Sequence, residues 1–348
     1  MSGRQFRWLA VGLVAATTGV IPGGSSAAAV SSCARPATSA DGMNTATANI
    51  AGVGSADAFR TVKLADGRWL SLTGDATRPG EDLPAYDNTA VIWDAAGQRR
   101  VDAPGGHFFP RWSDGSEFWP AGMVVSGRTV FVVGSRQLTA GTFDWQAMGA
   151  YGAVVDVPWC GTPKFVRYFA TPSSGLDDSA VQWSATITAA GSYWYVHGVL
   201  DRPDLFHARD GAYVARMPAG QVEDLTAWRY WNGAGWVADP GAAVSTLPAR
   251  AVEGQVVGGT EAGYTVHRRP DGRWQLTTKQ GGSLASTLGR FVSSYPVGPW
   301  SWQPLLEVCD LDCYLTGAAA TIPTTSGRLL VLWSRTGTLP VWAEVPAS

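Results

Sequence analysis

Two aspartates stand symmetrically about one predicted turn in the segment SADAFRTVKLADGRWLSLTGDAT: Asp57 and Asp75 each lie nine residues from Asp66. If Ala65-Asp66-Gly67 is the loop of a β-hairpin and Val62 faces Leu70, Asp57 and Asp75 are opposed at its open end. Directly opposed positions of an antiparallel pair hold their Cβ atoms about 4.5–5.5 Å apart. Two carboxyl groups that close are what hydrolysis of a glycosidic bond requires, one as acid and the other as nucleophile or base. Aspartate at a strand end also caps turns by accepting from nearby backbone N–H groups, which is the competing structural role.

The hairpin is the first of a set. A degenerate unit of polar or aromatic leader, short strand, Gly-containing turn and more apolar strand recurs in ADAFRTVKLADGRWLSLTGD, FWPAGMVVSGRTVFVVGSRQ, QWSATITAAGSYWYVHG, VEGQVVGGTEAGYTVHRR and YLTGAAATIPTTSGRLLVLWSR. The leaders fall at Asp57, Trp119, Trp183, Glu253 and Leu315, with spacings of 62, 64, 70 and 62. Each hairpin is followed by further strand-like stretches, such as DNTAVIWDAAGQ, GAYGAVVDVPWCG and PVWAEVP. The pattern predicts an all-β chain folded as a five-bladed β-propeller, with a large β-sandwich as the alternative.

In a propeller the leaders of the inner strands surround one mouth of the central channel. Asp57 and Asp75 are therefore the catalytic candidates, and Trp119, Trp183 and Glu253 are candidates for holding substrate. Indoles stack on the C–H faces of sugar rings while acids bond the hydroxyls. Packing between blades is the other use of a tryptophan, and bonding a strand end the other use of Glu253. Asn88 either holds a sugar hydroxyl or a carboxylate, or satisfies turn backbone. Glu117 and Asp178 are further acids beside inner strands.

Composition narrows the partners. A formal net charge of −2 with dispersed Lys and Arg gives no footprint for nucleic acid or an anionic membrane surface. Seventeen Trp, 42 Gly and 21 Pro indicate many short strands and tight turns. Arg4 and Arg7, the apolar stretch from Trp8 to Ile21 and Ala27-Ala28-Ala29 read as a secretory signal over 1–29. Residues 30–50 read as a flexible linker and 51–348 as one domain, exported and without a membrane span. Four cysteines in an exported chain point to disulfides, with Cys309 and Cys313 closing a small loop and Cys33 and Cys160 left as a second pair. His107, His197, His207 and His267 show neither metal-ligand spacing nor a nucleophile to pair with, so no metal or cofactor is expected. A G-x-S-x-G elbow set between strand and helix is not apparent.

The motifs ADAF, LADGRWLSLTGDAT, Asn88-Thr89, FWPAG, YVARMPAGQVEDLTAWRYWNGAGW, VGPW and CDLDCY resemble those of a family of secreted bacterial five-bladed propellers. That family, once catalogued only as a domain of unknown function, includes endo-D-arabinanases of the glycoside hydrolase family 183 type. The resemblance spans about residues 52–345. It implies cleavage of D-arabinofuranosyl linkages in mycobacterial-type cell-wall arabinan, with the acids matching Asp57 and Asp75 as the catalytic pair. Here Gly74-Asp75-Ala76-Thr77-Arg78 departs from the family's GDT followed by an aromatic. A non-catalytic propeller that binds cell-wall glycan or a partner protein, and a hydrolase of L-arabinan or xylan, are the alternatives.

Overall fold

The computed structural model describes residues 33, 39–50, 52–77, 87–101, 106–141, 144–202, 208–252, 255–261, 263–281, 285–308, 315–316, 322–323, 328–335 and 339–347. The expected signal at 1–29 and the expected Cys309–Cys313 pair lie outside them. Among the described residues the architecture is a β-propeller of antiparallel sheets with a single α-helix.

The first sheet runs β1 (Ser55–Lys63), β2 (Trp69–Thr77), β3 (Asp87–Asp94) and β4 (Gly97–Val101). The second is β5 (Glu117–Ser126), β6 (Thr129–Gly141), β7 (Asp144–Asp156) and β8 (Lys164–Ser174). The third has β9 (Gln182–Ala190), β10 (Tyr193–Arg202), β11 (Ala208–Pro218), β12 (Arg229–Trp231) and β13 (Trp236–Val237). A separate hairpin of β14 (Arg250–Val252) and β15 (Gln255–Val257) precedes the fourth sheet, β16 (Thr265–Arg268), β17 (Trp274–Lys279), β18 (Thr287–Ser293) and β19 (Ser301–Glu307). In the last sheet, β20 (Leu315–Thr316) and β21 (Ile322–Pro323) both pair β22 (Leu329–Arg335), which pairs β23 (Val341–Val345) on its other edge.

Turn chemistry sets these meanders. Two-residue loops at Gly127-Arg128 and Gly191-Ser192 place glycine first, at φ 59° and 61°, the left-handed conformation that strand twist demands of a tight hairpin. Apolar faces then join sheet to sheet. Leu70, Leu72 and Ile92 pack on Phe118, Val130 and Val132, and Val133 and Val154 on Trp183 and Trp194. Tyr195 and Val214 meet Val266 and Leu276, and Leu288 meets Leu329 and Val331. Leu330 and Leu332 return to Trp69 and Trp93, which closes the ring. Inner strands also touch directly: a Cβ on Gly122 of β5 would lie 2.4 Å from Thr186 Cα of β9, so only glycine fits there.

Within the expected linker, residues 39–50 are ordered against the domain. Within them α1 (Ala40–Ala48) is capped by Ser39 and buries Met43, Ala46 and Thr47. Its Asn44 brackets the Trp342 backbone, donating to the carbonyl at 3.0 Å and accepting from the amide at 2.7 Å, while Thr47 Oγ1 accepts from the Trp342 indole. Three buried side chains and three bonds to β23 outweigh the small, polar composition that suggested disorder. The helix thus clasps the last strand beside the first sheet.

Cys33 is joined to Cys160 across 127 residues, the pairing left open by the sequence. Asp66 approaches the same two sulfurs, and because these are covalently linked the group serves as an anchor of the N-terminal segment. The Cys33→Ser variant is expected to lose about 2–4 kcal/mol of stability, the usual worth of a long-range crosslink. Thermal unfolding with and without reductant checks this: reductant should lower the wild-type midpoint and leave the variant unchanged.

Two histidines add an acid sensitivity. His197 on β10 is fully enclosed, 6.3 Å from the Tyr264 ring, and burial holds its pKa down to about 3. His267 on β16 is held to about 4 by burial and by the nearby Arg269 and Arg290 charges. Both folded values lie below the unfolded value of about 6.5, so the unfolded chain takes up protons first as pH falls. Their contribution is complete above pH about 6.5 and declines below it, down toward pH 4 for His267 and pH 3 for His197. Melting midpoints should fall across that window, and less steeply in the His267→Gln variant.

Candidate active site

The hairpin that carries the two candidate acids has the expected centre and an altered end. Val62 pairs Leu70, as do Lys63 and Trp69, Thr61 and Ser71, and Arg60 and Leu72. Irregularities on either side of Asp57 then shift the register, so Asp57 is opposite Gly74 and Ser55 is opposite Thr77. The expected opposition of Asp57 and Asp75 is therefore off by one backbone position. Extra residues in one strand produce such local shifts, and bulges are frequent where a sheet meets a functional site. The structure keeps the Asp57 and Asp75 backbones on adjacent strands at one end of the hairpin.

The leader of the second sheet closes on the same place. Trp119 on β5 lays its indole against Gly74, whose added Cβ would sit 3.5 Å from Trp119 Cδ2. Two residues earlier Glu117 is buried and forms an ion pair with Arg111. Burial first, and then the Glu117 charge, raise the Tyr168 phenol far above its usual range, so it stays neutral and donates to Pro110 O at 2.6 Å.

Further ionisable groups mark the same end of the other sheets. Asp178 precedes β9 and is raised above the ordinary carboxylate range by burial and by the charges of Asp201 and Asp177, with Arg209 opposing them. Arg209 Nε bonds Asp201 at 3.2 Å across β10 and β11. At the fourth sheet Glu261 and Lys279 form a deeply buried pair at 4.0 Å, and burial lowers the Lys279 pKa against the pull of Glu261. Arg60, from β1, reaches across to the segment before β16: a Cβ on Gly263 would lie 2.0 Å from its Nη2. Glu261, Lys279 and Arg60 escaped the sequence reading.

Glu253 lies outside the described residues, between β14 and β15, and the fourth inner strand is β16. A sequence signal for Glu261 existed. Asp-Gly-Arg-Trp occurs at 66–69 and again at 271–274, and counting nine residues back from Asp271 arrives beside Glu261.

Two other candidates take the structural roles that the sequence left open to them. Asn88 is buried, and its amide is spent on the loop backbone: Oδ1 accepts from Phe109 N at 2.6 Å and Nδ2 donates to Phe109 O at 3.1 Å. The side chain thereby acts as an extra rung of sheet, a strong claim on an amide with both groups out of water. Trp183 is 2% exposed and packs among Trp228 and Tyr230, at ring separations of 6.4 and 5.1 Å. It belongs to the apolar contact between the second and third sheets.

Solved structures share the fold. A presumed hydrolase from Bacteroides ovatus ATCC 8483 superposes with a TM-score of 0.63 at 11% identity, covering 87% of this chain and 88% of that one. The GH43_1 enzyme of Xanthomonas citri complexed with xylose gives 0.50 at 14% identity, covering 86% and 91%. The endo-arabinase of Bacteroides thetaiotaomicron VPI-5482 gives 0.49 at 14%, covering 85% and 96%. None of the curated protein sequences compared with the chain matches it. The model of one family, described as a domain of unknown function, DUF5005, matches residues 101–316, more than half of the sequence, and the chain belongs to that family.

Proposed function

We propose that the protein is an exported glycoside hydrolase with the fold of a five-bladed propeller, its mouth acting on D-arabinofuranosyl linkages of mycobacterial-type cell-wall arabinan. The observation that carries the proposal is the convergence of Asp57, Gly74-Asp75 and Trp119 at one end of the first hairpin. The enzymes of like fold support a glycosidic substrate, one presumed to be a hydrolase and one holding xylose. The Cys33–Cys160 bond accords with an oxidising, extracytoplasmic setting.

One aspartate is protonated and donates to the leaving oxygen; the other is ionised and attacks the anomeric carbon or activates water. Two carboxyl groups sharing a site titrate apart, because ionising the first raises the second. A separation near 5 Å gives retention of configuration and about 6.5–9.5 Å gives inversion. Trp119 supplies the sugar face, and the buried Glu117, Glu261 and Arg60 set the field around the mouth. No cofactor takes part in this scheme.

The test is a substrate panel. Purified protein is incubated with mycobacterial arabinogalactan, plant L-arabinan and xylan, and released oligosaccharides are resolved by chromatography. Products from arabinogalactan are expected. Products only from L-arabinan or xylan would reassign the substrate, and none from any polymer would remove the enzymatic reading.

A further inference from the structure

Away from the mouth, the seam between the third and fourth sheets carries a run of half-buried rings with no part in the chemistry above. Tyr193 begins β10 beside its tight turn, whereas the mouth lies at the Arg202 end of that ten-residue strand. A strand of that length separates the two ends by about 30 Å.

Contacts hold several of these rings in place. The Arg216 guanidinium lies 4.7 Å from the Tyr193 ring centre and 4.3 Å from that of Trp236, fixing both rings. Trp231 follows Trp236 at 5.6 Å, and its carbonyl accepts from Val244 N. Two residues on, Thr246 Oγ1 accepts from the Trp300 indole at 3.0 Å. Trp300 ends the short segment joining β18 to β19, whose Val297 packs on the same core and whose Tyr295 is 63% exposed.

Rings held in place by a stacked cation and an indole hydrogen bond form a surface organised before any ligand arrives, which limits the ordering cost of binding. The run is aromatic, with backbone and hydroxyl groups between its rings, and its Arg216 cation is stacked on two of them. That chemistry suits an uncharged sugar chain, which offers C–H faces to rings and hydroxyls to the polar groups between them.

We propose that this seam is a second, non-catalytic glycan-binding surface that holds the polysaccharide on which the mouth acts. For the identity of the polymer it rests on the function proposed above; its existence does not. The seam retains the long chain while the mouth cleaves it. An oligosaccharide much shorter than the separation of the two sites engages the mouth alone.

Affinity electrophoresis of the full chain through gels containing arabinogalactan, L-arabinan, xylan or no polymer tests this, beside Tyr295→Ala, Trp300→Ala and Asp75→Asn. At least one polymer is expected to retard the wild type. Tyr295→Ala and Trp300→Ala should each weaken that retardation about three- to tenfold, the worth of one ring contact. Both should cleave a short oligosaccharide at the wild-type rate, and Asp75→Asn should still be retarded. Tyr295 is largely in water, so its variant keeps the wild-type melting midpoint and stands alone if Trp300→Ala fails to fold. Retardation that depends on the rings without cleavage of any polymer supports the surface while removing the hydrolase reading. Absence of retardation by every polymer, equal retardation of the ring variants, or loss of retardation only in Asp75→Asn would overturn the proposal.

Discussion

Asparagine at position 57 or 75 is expected to lower turnover of arabinan at least about a hundredfold while changing glycan affinity by no more than about threefold. The substitution keeps size and hydrogen-bonding capacity but removes the proton donor or the anion. Loss of general acid–base catalysis alone costs about 10²–10⁴ in rate. Loss of the nucleophile in a retaining scheme costs as much or more. The two effects should not add in the double variant, because residues acting as one unit fail together. Steady-state kinetics on arabinogalactan, with affinity measured separately, check this. More than a tenth of wild-type turnover in either variant would place the chemistry elsewhere, and unaltered function in both would fit a glycan-binding propeller.

The second large effect lies at the opposite end of the same hairpin. Arg68 is fully buried, with Nε donating to Asp66 Oδ2 at 2.8 Å, Nη2 to Pro158 O at 2.9 Å and Nη1 to Gly161 O. Asp66 also accepts from Cys160 N at 3.0 Å. Burial alone would raise the Asp66 pKa, but the Arg68 hydrogen bond and the two backbone amides outweigh it and hold the carboxylate below its ordinary range. Arg68→Met removes the cation, so that the buried carboxylate keeps only its backbone donors and the Pro158 and Gly161 carbonyls lose theirs. Breaking a buried pair in this way costs about 3–5 kcal/mol. The melting midpoint should fall by roughly 10 °C for a chain of this size. Replacing both partners, as Asp66→Ala with Arg68→Met, should cost less than the two single changes together, since no uncompensated charge remains. A fall of under 2 °C for Arg68→Met would show that the turn tolerates the loss.

The same Asp-Gly-Arg motif recurs at Asp271 and Arg273 with similar bonds between the two side chains. There both side chains are largely exposed. An equivalent substitution at Arg273 is therefore expected to cost little, as surface pairs contribute at most about 1 kcal/mol. Local sequence specifies the turn in both places, but only contact with Pro158 and Gly161 makes the first one an anchor.

Legibility followed the range of the interactions. The hairpin register at Val62 and Leu70 could be read because a short turn fixes it locally. The shift at Asp57 could not, since irregular pairing depends on how β1 meets its neighbours. Trp119 and Trp183 carry the same type of label in the sequence, an indole opening a repeat. Trp119 rests on Gly74, whereas Trp183 faces Trp228, a partner supplied by the later segment that leads into β12. The two roles open to Asn88 could not be separated locally, because its partner, the Phe109 backbone, lies twenty-one residues away. Helix α1 was hidden for a similar reason: its buried face is defined by β23, nearly three hundred residues later.

Where a sugar chain lies tests the role of the first hairpin most directly. A crystal structure of the Asp75→Asn protein soaked with a D-arabinan oligosaccharide is predicted to show a furanose ring against Trp119 and Gly74. The side chains at 57 and 75 should flank its anomeric carbon. An oligosaccharide bound elsewhere, with the mouth empty at saturating concentration, would contradict the assignment of the first hairpin as the catalytic element.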